Sequence, residues 1–424
     1  MELFKKRLAE TIPGIRAQRT ALAKEHGEKQ LATATIGALL GGMRGLPALL
    51  CETSSVSADE GVRIRNTPIL ELTNIEAEDC FFLLCTGSLP SKEEAEELRA
   101  ALEAKSTVPD YIWNVLRAMP ADSHPMAMLS AALNTLERES AFRKAYDEGA
   151  GKDKLWEATL DDCITLLGSI SAIAAGIYRI RFNKGELIAP KTGATWSENF
   201  AHMLGVSNDP NWIDLIRLYL VLHSDHEGGN VSAMTAHTVS SALSDVFYSM
   251  AAGLNGLAGP LHGLANQECL GFIIDIRNHF NGVPTDEQMR EFTWNRLNNG
   301  QVIPGYGHAV LRVTDPRFTA FYQFAEQNNL SDENIDIMKK LFNIVPEVLK
   351  EQGKASNPWP NVDAASGSLL YHYGMTEFEF YTVMFGVSRA MGIGSQILFH
   401  RMAGSPIVRP KSMTFAQLQA AAAK

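Results

Sequence analysis

The sequence predicts an all-α fold, and two observations support this prediction. Large apolar residues recur three or four positions apart, as on one face of a helix, whereas runs that alternate apolar and polar residues are scarce. The clearest example, residues 234–254, predicts one helix, and similar patterns predict helices around 215–222, 338–349 and 378–402. A short stretch near residues 47–65 is expected to form a small hairpin.

Size and composition limit the class of protein. The chain has 424 residues, 46% of them hydrophobic, and a formal net charge of −10. A chain of this length buries a large core and is expected to form more than one domain. The acidic balance and the lack of a long basic run argue against nucleic-acid binding, so local arginines must hold any anionic ligand. Glycine and proline clusters at 253–263, 300–307 and 353–367 mark expected domain edges or hinges.

The compartment is predicted from the cysteines and the first residues. Five cysteines show neither CxxC spacing nor the density of a disulfide scaffold, which favours a reducing compartment. The start, MELFKKRLAETIPG, is too charged for a signal peptide, and Glu2 and Glu10 weaken a transit-peptide interpretation. We expect a bacterial cytoplasm, with the mitochondrial matrix as the alternative. The most apolar segment, 165–180, falls short of the roughly 18 residues of a membrane-spanning helix, so no span is expected.

The segment LHSDHEGGN, residues 222–230, places two histidines among acidic residues. His223 and His226 could bind a metal ion with their acidic neighbours, but one HxxH pair without HExxH is a weak signal. The alternative is a helix terminus, where a histidine lies near the negative end of the helix dipole and Gly228 stops the helix. The alternative explains most of these residues.

The segment GPLHGLAN contains a third candidate histidine. Gly259 and Pro260 must end the preceding helix, and the following apolar spacing predicts that another begins near His262. A histidine at a helix start stays neutral and can donate a hydrogen bond to a developing negative oxygen, as the active-site histidine of triosephosphate isomerase does. A histidine merely packed in a turn is the alternative.

Asp363 follows two prolines in NPWPNVDAASGSLL and precedes an apolar helical run. Aspartate in that position is most often an N-cap, which favours the ionised form. A base that removes a carbon-bound proton instead needs its carboxylate lifted from water. The sequence leaves both interpretations open.

The segment IPGYGHAVLRVTDPR, residues 303–317, has the composition of an anion site. Two glycines let the backbone approach a ligand closely, and arginines suit a carboxylate or phosphate, although a plain loop is the alternative. Arg389 lies in an apolar helical pattern, so its buried charge needs an anionic partner, either a ligand or a structural carboxylate. Arg409 lies in an extended stretch between prolines.

Together these segments supply at least three arginines, three histidines and one carboxylate, with no metal signature and no nucleophile beside a base. This inventory suits a small polycarboxylate and proton transfer next to a carbonyl. The motifs resemble, in order, those of the citrate synthase family, in particular the group that includes the mitochondrial enzymes. The resemblance runs from about residue 3 to Met413 and rests on GGMRG, HSDHEGGN, GPLHGLANQE, VIPGYGHAVLRVTDPR, NPWPNVDAASG, FGVSRAMG and PIVRPKSM.

The resemblance implies a two-domain helical fold with the active site in the cleft between the domains. The large domain would comprise residues 1–266 and 369–424, and the small domain residues 267–368. Members of the family are homodimers at least. The family has an acyltransferase activity that condenses acetyl-CoA with oxaloacetate and hydrolyses the thioester to citrate and CoA, so no tightly bound cofactor, nucleic acid or membrane partner is expected.

The resemblance also implies residue roles. Asp363 would take a methyl proton from acetyl-CoA, His262 would stabilise the resulting enolate, and His308 would polarise the oxaloacetate carbonyl. Oxaloacetate would be bound by His226, Arg317 and Arg389, with Arg409 reaching in from the other subunit, and the metal interpretation of His226 then lapses. The backbone of Val302, Pro304, Gly305, Tyr306 and Gly307 would lie against CoA. The basic residues for its phosphates would be Arg44, Lys152 and Arg312.

Two positions depart from the family's usual pattern. Lys152 occupies a position that is commonly arginine, which replaces a planar fork by a point charge. Ala365 stands where the family often has histidine. No additional N-terminal domain of the kind that binds NADH in some members is apparent. A 2-methylcitrate synthase that uses propionyl-CoA, a non-catalytic helical binding protein with the same fold, and a metal hydrolase built on HSDHE are the alternatives.

Overall fold

The computed structural model describes residues 1–308 and 310–423, and these are predominantly helical. In chain order the described α-helices are α1 (Glu2–His26), α2 (Ile36–Leu40), α3 (Ala77–Thr86), α4 (Lys92–Glu103), α5 (Asp110–Ala118), α6 (Pro125–Leu136), α7 (Ala141–Asp147), α8 (Leu155–Arg181), α9 (Trp196–Leu204), α10 (Pro210–Leu222), α11 (Val231–Ser241), α12 (Val246–Leu257), α13 (Ala265–Phe280), α14 (Asp286–Asn298), α15 (Pro316–Gln327), α16 (Glu333–Gln352), α17 (Asp363–His372), α18 (Tyr381–Ala403) and α19 (Phe415–Ala422). Short 3-10 helices lie at Ile69–Leu72, Glu137–Glu139 and Phe378–Phe380. The predicted all-α class is confirmed.

The predicted small hairpin is also confirmed. Strands β1 (Ser54–Ser57), β2 (Gly61–Ile64) and β3 (Thr67–Pro68) form an antiparallel sheet in the order β1-β2-β3. Ser54 pairs with Ile64 and Ser57 with Gly61, so the turn of the hairpin comprises residues 58–60. The inner face of the hairpin is buried, which fixes the sheet against the helical body.

An arginine fastens the hairpin to the large helical body. The guanidinium of Arg65, just after β2, donates to the carbonyl oxygens of Leu84 at 2.7 Å and Cys85 at 2.9 Å, at the end of α3. The last carbonyl groups of a helix have no partner within the helix, so this arginine supplies donors that the chain needs there. The hairpin therefore has a fixed position relative to α3.

Two long buried helices, α8 and α18, pack against each other at the centre of the body. The apolar segment predicted at 165–180 belongs to α8, which has 27 residues and is long and apolar enough to cross a membrane, so the expectation that it is too short was wrong. However, 89% of its most apolar window is buried inside the protein. Because the core of the protein covers it, α8 has the environment of a core helix.

The helix predicted over residues 234–254 is two helices, and this prediction was wrong. α11 ends at Ser241, and α12 begins at Val246 after its N-cap Asp245, whose carboxylate accepts a hydrogen bond from the Tyr248 N–H at 3.0 Å. Leu243 has a φ of 67°, which reverses the chain and packs α12 against α11. The apolar pattern runs across the break because both helices bury one face in the same core.

The other predicted helices around 215–222, 338–349 and 378–402 lie in α10, α16 and α18, the last preceded by a 3-10 turn. Helices α13 to α17 pack mainly against one another, whereas α8, α12 and α18 pack together with α6. These helices thus form two groups. The five cysteines are unpaired.

Replacing Arg65 by methionine should destabilise the protein, because two charge-assisted hydrogen bonds to the end of α3 are lost. The expected loss in free energy of unfolding is about 1 to 3 kcal/mol. Arg63→Met, two residues earlier, is the control: its guanidinium pairs with Glu60 and donates to the carbonyl of Asn66, both on the surface, and its loss should cost about 0 to 1 kcal/mol. Urea unfolding followed by circular dichroism measures both variants, and equal losses would contradict the prediction.

Candidate active site

The segment that carries His308 is paired with the segment that leads into α17. The carbonyl oxygen of Gly305 accepts a hydrogen bond from the Asn361 N–H at 2.9 Å, and the Gly307 N–H donates to the carbonyl oxygen of Trp359 at 3.0 Å. These two backbone bonds bring together segments that are more than fifty residues apart in the sequence. The candidate general base is thereby held near the candidate histidine.

Gly305 approaches the start of α17 too closely for any side chain. Its φ is 79°, and a Cβ atom there would lie 2.7 Å from the sulfur of Cys269 and 3.0 Å from the Cα of Ala364. A glycine is required for both reasons, since other residues are strained at this φ and would collide with these atoms. The interpretation of the glycines as points of close backbone approach therefore holds at Gly305, although the neighbour is α17.

Asp363 is the first residue of α17 and does not cap it, so the N-cap interpretation was wrong. Its carboxylate makes no hydrogen bond with the described residues, whereas the side chain of Asn361 accepts from the Asp363 N–H at 3.0 Å. Burial raises the pKa of Asp363 to about 6, the positive charges of Arg317 and Arg389 oppose this rise, and Asp315 adds to it. A carboxylate with this pKa is suited to accept a proton near neutral pH.

His308 is neutral and has a defined tautomer. Its Nδ1 accepts hydrogen bonds from the N–H groups of Val310 and Leu311, both at 3.0 Å, so the ring proton lies on Nε2. Burial lowers the pKa of His308, and the charge of Arg317 lowers it further. The His308 ring lies 5.5 Å from the ring of His226, centroid to centroid.

His262 lies in the turn before α13, which begins at Ala265, so the expected helix start near His262 was placed too early. The Ser232 N–H donates to its Nε2 at 3.3 Å and the Ser232 hydroxyl lies 2.9 Å away, which favours the tautomer with the proton on Nδ1. Burial lowers the pKa of His262 to about 4, and the charge of Arg389 contributes. The neutral form thus results mainly from desolvation, where the sequence suggested a helix dipole.

Two of the candidate arginines are buried, Arg317 being 4% and Arg389 2% exposed. Arg317 has a carboxylate partner that the sequence analysis missed: its Nε and Nη2 donate to the two oxygens of Asp315 at 3.0 and 2.6 Å. Arg389 forms no ion pair within the described part of the chain, and its Nε donates to the carbonyl oxygen of His223 at 3.0 Å. A structural carboxylate paired directly with Arg389, the alternative left open above, is therefore not observed among these residues.

His226 lies in a loop between α10 and α11. α10 ends at Leu222, so the expectation that Gly228 stops the helix was wrong. The Nε2 of His226 is buried without a hydrogen-bond partner among the described residues, and burial, followed by the charges of Arg317 and Arg389, holds the pKa of His226 well below its ordinary value. Residues 1–308 and 310–423 contain no group of three or more side chains placed to hold a metal ion.

A cavity of about 450 Å³ opens beside the glycine-rich segment. Three of the backbone positions predicted for CoA line it, Val302, Tyr306 and Gly307, whereas Pro304 and Gly305 do not. Its wall also includes residues that the sequence analysis did not propose as ligands of CoA, namely His308, Lys354 and Asn357. The cavity has the size of a small-molecule site.

Four predicted basic residues are exposed in the isolated chain. Arg44, Lys152 and Arg409 are exposed, and none of them forms a hydrogen bond or ion pair with another described residue. Arg312 is also exposed, and its guanidinium donates to carbonyl groups of its own loop, including that of Leu311 at 2.7 Å. Their predicted contacts with CoA or with oxaloacetate stay predictions.

The sequence analysis also missed Phe385, which lies among the candidate residues. Its ring centroid is 4.6 Å from the guanidinium carbon of Arg389, 5.3 Å from the ring of His223 and 6.4 Å from that of His262. An aromatic residue in an apolar helical pattern is indistinguishable from ordinary core. Only its position four residues before Arg389, on the same helix face, could have indicated a role.

Comparison with known proteins identifies the family. The family model described as "Citrate synthase, C-terminal domain" matches residues 42–411. The protein named "Citrate synthase 4, mitochondrial" of Arabidopsis thaliana is 45% identical over 427 residues, covering 98% of this chain and 90% of the relative. "Citrate synthase, mitochondrial" of Daucus carota is 44% identical with the same coverage. The predicted resemblance to the group with mitochondrial members is confirmed.

Solved structures agree with the sequence relatives. Citrate synthase from Pyrobaculum aerophilum superposes with a TM-score of 0.81 at 26% identity, covering 92% of this chain and 97% of that one. A ternary complex of citrate synthase from Thermoplasma acidophilum with carboxymethyl coenzyme A and oxaloacetate has a TM-score of 0.75 at 23% identity, which supports the fold alone. The predicted citrate synthase-like helical fold is confirmed, and the chain belongs to the citrate synthase family.

Proposed function

We propose that this protein is a citrate synthase, an acyltransferase that condenses acetyl-CoA with oxaloacetate and hydrolyses the thioester to citrate and CoA. The observation that carries the proposal is the grouping of a carboxylate without hydrogen bonds to the described residues, two neutral histidines and two buried arginines in a chain of this family. Buried arginines suit the carboxylates of oxaloacetate, and the other groups suit proton transfer beside a carbonyl.

Proton removal from acetyl-CoA is assigned to Asp363 and His262. Asp363 takes a methyl proton, since its carboxylate is ionised above its pKa of about 6 and has no competing hydrogen bond in the described residues. His262 donates from Nδ1 to the thioester oxygen as the enolate forms, because the Ser232 N–H occupies Nε2. A neutral histidine suits this step because its ring N–H polarises the thioester carbonyl as a hydrogen-bond donor.

The attack on oxaloacetate is assigned to His308 and the arginines. His308 donates from Nε2 to the keto oxygen and transfers this proton to the developing alkoxide, which its fixed tautomer permits. The proton that Asp363 removed from the methyl group returns to the ring through water, so the net transfer is from the methyl group to the new hydroxyl. Arg317, Arg389 and His226 bind the two carboxylates, and removal of water around them strengthens each charge contact. The enolate carbon then forms the new carbon–carbon bond, and water hydrolyses the citryl thioester to release CoA.

CoA is assigned to the cavity beside residues 302–307. Backbone groups of that segment contact the adenine end, and Lys354 in the cavity wall adds a positive charge toward the phosphates. Arg44, Lys152 and Arg312 are the further candidates for the phosphates, since all three are exposed. Because CoA is a co-substrate, the proposal includes no tightly bound cofactor.

We further propose a homodimer in which Arg409 completes the oxaloacetate site of the partner subunit. The exposure of Arg409 in its own chain supports this arrangement, as does the exposure of large apolar residues near both ends of the chain, including Leu31 at 85% and Phe415 at 79%. Such residues are normally covered in an assembly.

The domain division is also part of the proposal. The packing of α13 to α17 against one another supports residues 267–368 as the small domain.

We also propose the mitochondrial matrix as the compartment of this protein. The relatives reported above are named as mitochondrial proteins, which supports the matrix, the second of the two expectations for this chain.

Purified protein given oxaloacetate should release free thiol from acetyl-CoA much faster than from propionyl-CoA. The added methylene of propionyl-CoA lies at the reacting carbon, where a pocket discriminates by about 1 to 3 kcal/mol, or about 10- to 200-fold in kcat/KM. The assay follows thiol release with a chromogenic disulfide, and omission of oxaloacetate is the control. Equal rates would contradict the acetyl-CoA assignment, and no release with either thioester would contradict the activity.

The kcat/KM for acetyl-CoA should fall as pH decreases through about 6. Burial raises the pKa of Asp363 to about 6, and only the ionised form accepts the methyl proton. About half of the activity should therefore be lost at pH 6, and at lower pH the activity should fall about tenfold for each pH unit. The pKa of His262, about 4, keeps that residue neutral throughout. Rates measured from about pH 8 to about pH 5 test this, with circular dichroism to confirm folding. A rate that stays constant to pH 5 would contradict the raised pKa of Asp363, and the loss of activity in Asp363→Asn would then be the test of its role as the base.

Mixing two inactive variants should restore activity if Arg409 acts across the dimer. Asp363→Asn should lose about 100-fold or more in kcat because the base is missing, and Arg409→Ala should bind oxaloacetate weakly. In a mixed dimer, one site combines an intact Asp363 with the intact Arg409 of the other chain, while the second site has both defects. Unfolding and refolding the two variants together, followed by the thiol assay, should therefore exceed the sum of the separate activities. No gain would place Arg409 in its own chain's site or outside any site.

A further inference from the structure

The loop that carries His226 is anchored by a buried carboxylate to which the proposed reaction gives no role. Asp225 is 1% exposed, and its Oδ2 accepts hydrogen bonds from the Thr53 hydroxyl at 2.5 Å and the Ser54 hydroxyl at 2.9 Å. Its Oδ1 accepts from the Gln396 side-chain amide at 2.8 Å. Thr53 and Ser54 lie at the start of β1 and Gln396 lies on α18, so the carboxylate joins the hairpin and α18 to the loop.

The residue after His226 is held by two of the same partners. The Glu227 N–H donates to the Ser54 hydroxyl oxygen at 2.7 Å, and the Glu227 carbonyl accepts from the Gln396 amide at 3.3 Å. Glu227 has a φ of 52°, in the left-handed region that costs a non-glycine residue free energy. Such a conformation persists only where its surroundings fix it, so these bonds determine the backbone on which His226 sits.

The residue before Asp225 is held by the helix that carries Arg389. The Gly392 N–H donates to the carbonyl of Ser224 at 3.1 Å, and a Cβ at Gly392 would lie 2.4 Å from that oxygen and 2.5 Å from Asp225 Oδ1. Arg389, three residues earlier, donates from its Nε to the carbonyl of His223. The contact between α18 and residues 223–224 therefore fixes the loop of His226 relative to the guanidinium of Arg389.

The charge of Asp225 also acts on that guanidinium. Burial lowers the pKa of Arg389 to about 10, and the negative charge of Asp225 is the largest effect opposing this. Removing the carboxylate would thus change both the loop geometry and the charge environment. Burial raises the pKa of Asp225, whereas the hydrogen bonds from Thr53 and Ser54 lower it, so removing a hydroxyl donor changes the geometry and also weakens the stabilisation of the ionised form.

We propose that Asp225, held by the hydroxyls of Thr53 and Ser54 and by the amide of Gln396, is a positioning residue that sets His226 for oxaloacetate. The inference rests on the proposed function, because it takes His226 as an oxaloacetate ligand. Asp225 itself does not touch the substrate, since protein donors occupy both of its oxygens. The N-terminal hairpin is thereby part of the oxaloacetate site, although none of its residues contacts the ligand in the proposed mechanism.

Two matched pairs of variants test the inference. Ser54→Ala removes a donor to Asp225 and the acceptor of the Glu227 N–H, whereas Ser55→Ala alters the exposed serine next to it on the same strand. Thr53→Val removes a hydroxyl at constant shape, and Thr53→Ser retains it. Calorimetric titration with oxaloacetate gives Kd and stoichiometry, the thiol assay at saturating oxaloacetate gives KM for acetyl-CoA, and a thermal melt gives Tm.

Ser54→Ala and Thr53→Val are expected to weaken the Kd of oxaloacetate about tenfold at full stoichiometry, as for loss of one hydrogen bond to a buried charge. KM for acetyl-CoA should stay within about twofold, and Ser55→Ala and Thr53→Ser should match the wild type. An unchanged Kd in both test variants would overturn the inference. A lower stoichiometry and Tm with an unchanged Kd would overturn it too, because the hydroxyls would then serve only folding. Wild-type protein that binds no oxaloacetate would overturn the proposed function, and this inference with it.

Discussion

The buried guanidinium of Arg389, which has no ion-pair partner among the described residues, determines the charge of the candidate site. Arg389 lies on the central helix α18 with its ring neighbour Phe385 and one backbone carbonyl as its close contacts. Burying a cation costs free energy that only an anion or several dipoles can offset. A carboxylate of a ligand could supply the ion-pair partner that Arg389 lacks among the described residues. The same charge helps to keep nearby His226 and His262 neutral, which suits hydrogen-bond donation to oxygen.

Backbone N–H groups determine which ring nitrogen carries the proton in His308 and His262. In His308 two N–H groups occupy Nδ1, and in His262 one N–H group contacts Nε2, so in each ring the other nitrogen is left to donate. Neither arrangement needs a carboxylate partner for the histidine. Asp363, whose carboxylate accepts no hydrogen bond from the described residues, is the proposed base. Its raised pKa follows from burial, which the charges of Arg317 and Arg389 only partly oppose.

The small hairpin connects two loops that are far apart in sequence. Its first strand holds the loop of His226 through Asp225, and its turn contacts the loop of His308, where the Arg312 N–H donates to the carbonyl of Ala58 at 2.8 Å. Gly61, which begins the second strand, allows Pro316 to approach so closely that a Cβ would lie 2.5 Å from its ring. The small hairpin thus fixes the loop of His226 relative to the loop of His308.

The sequence by itself determined the helical class, the hairpin, the family and the set of chemically capable residues, because periodicity, turn residues and ordered motifs are local properties of the chain. Tertiary structure decided the rest. The break between α11 and α12, the partner of Arg317, the burial of α8 and the desolvation that sets the pKa of Asp363 depend on what packs against each residue. No pattern of spacing records those neighbours, since helices and loops from distant parts of the chain supply them.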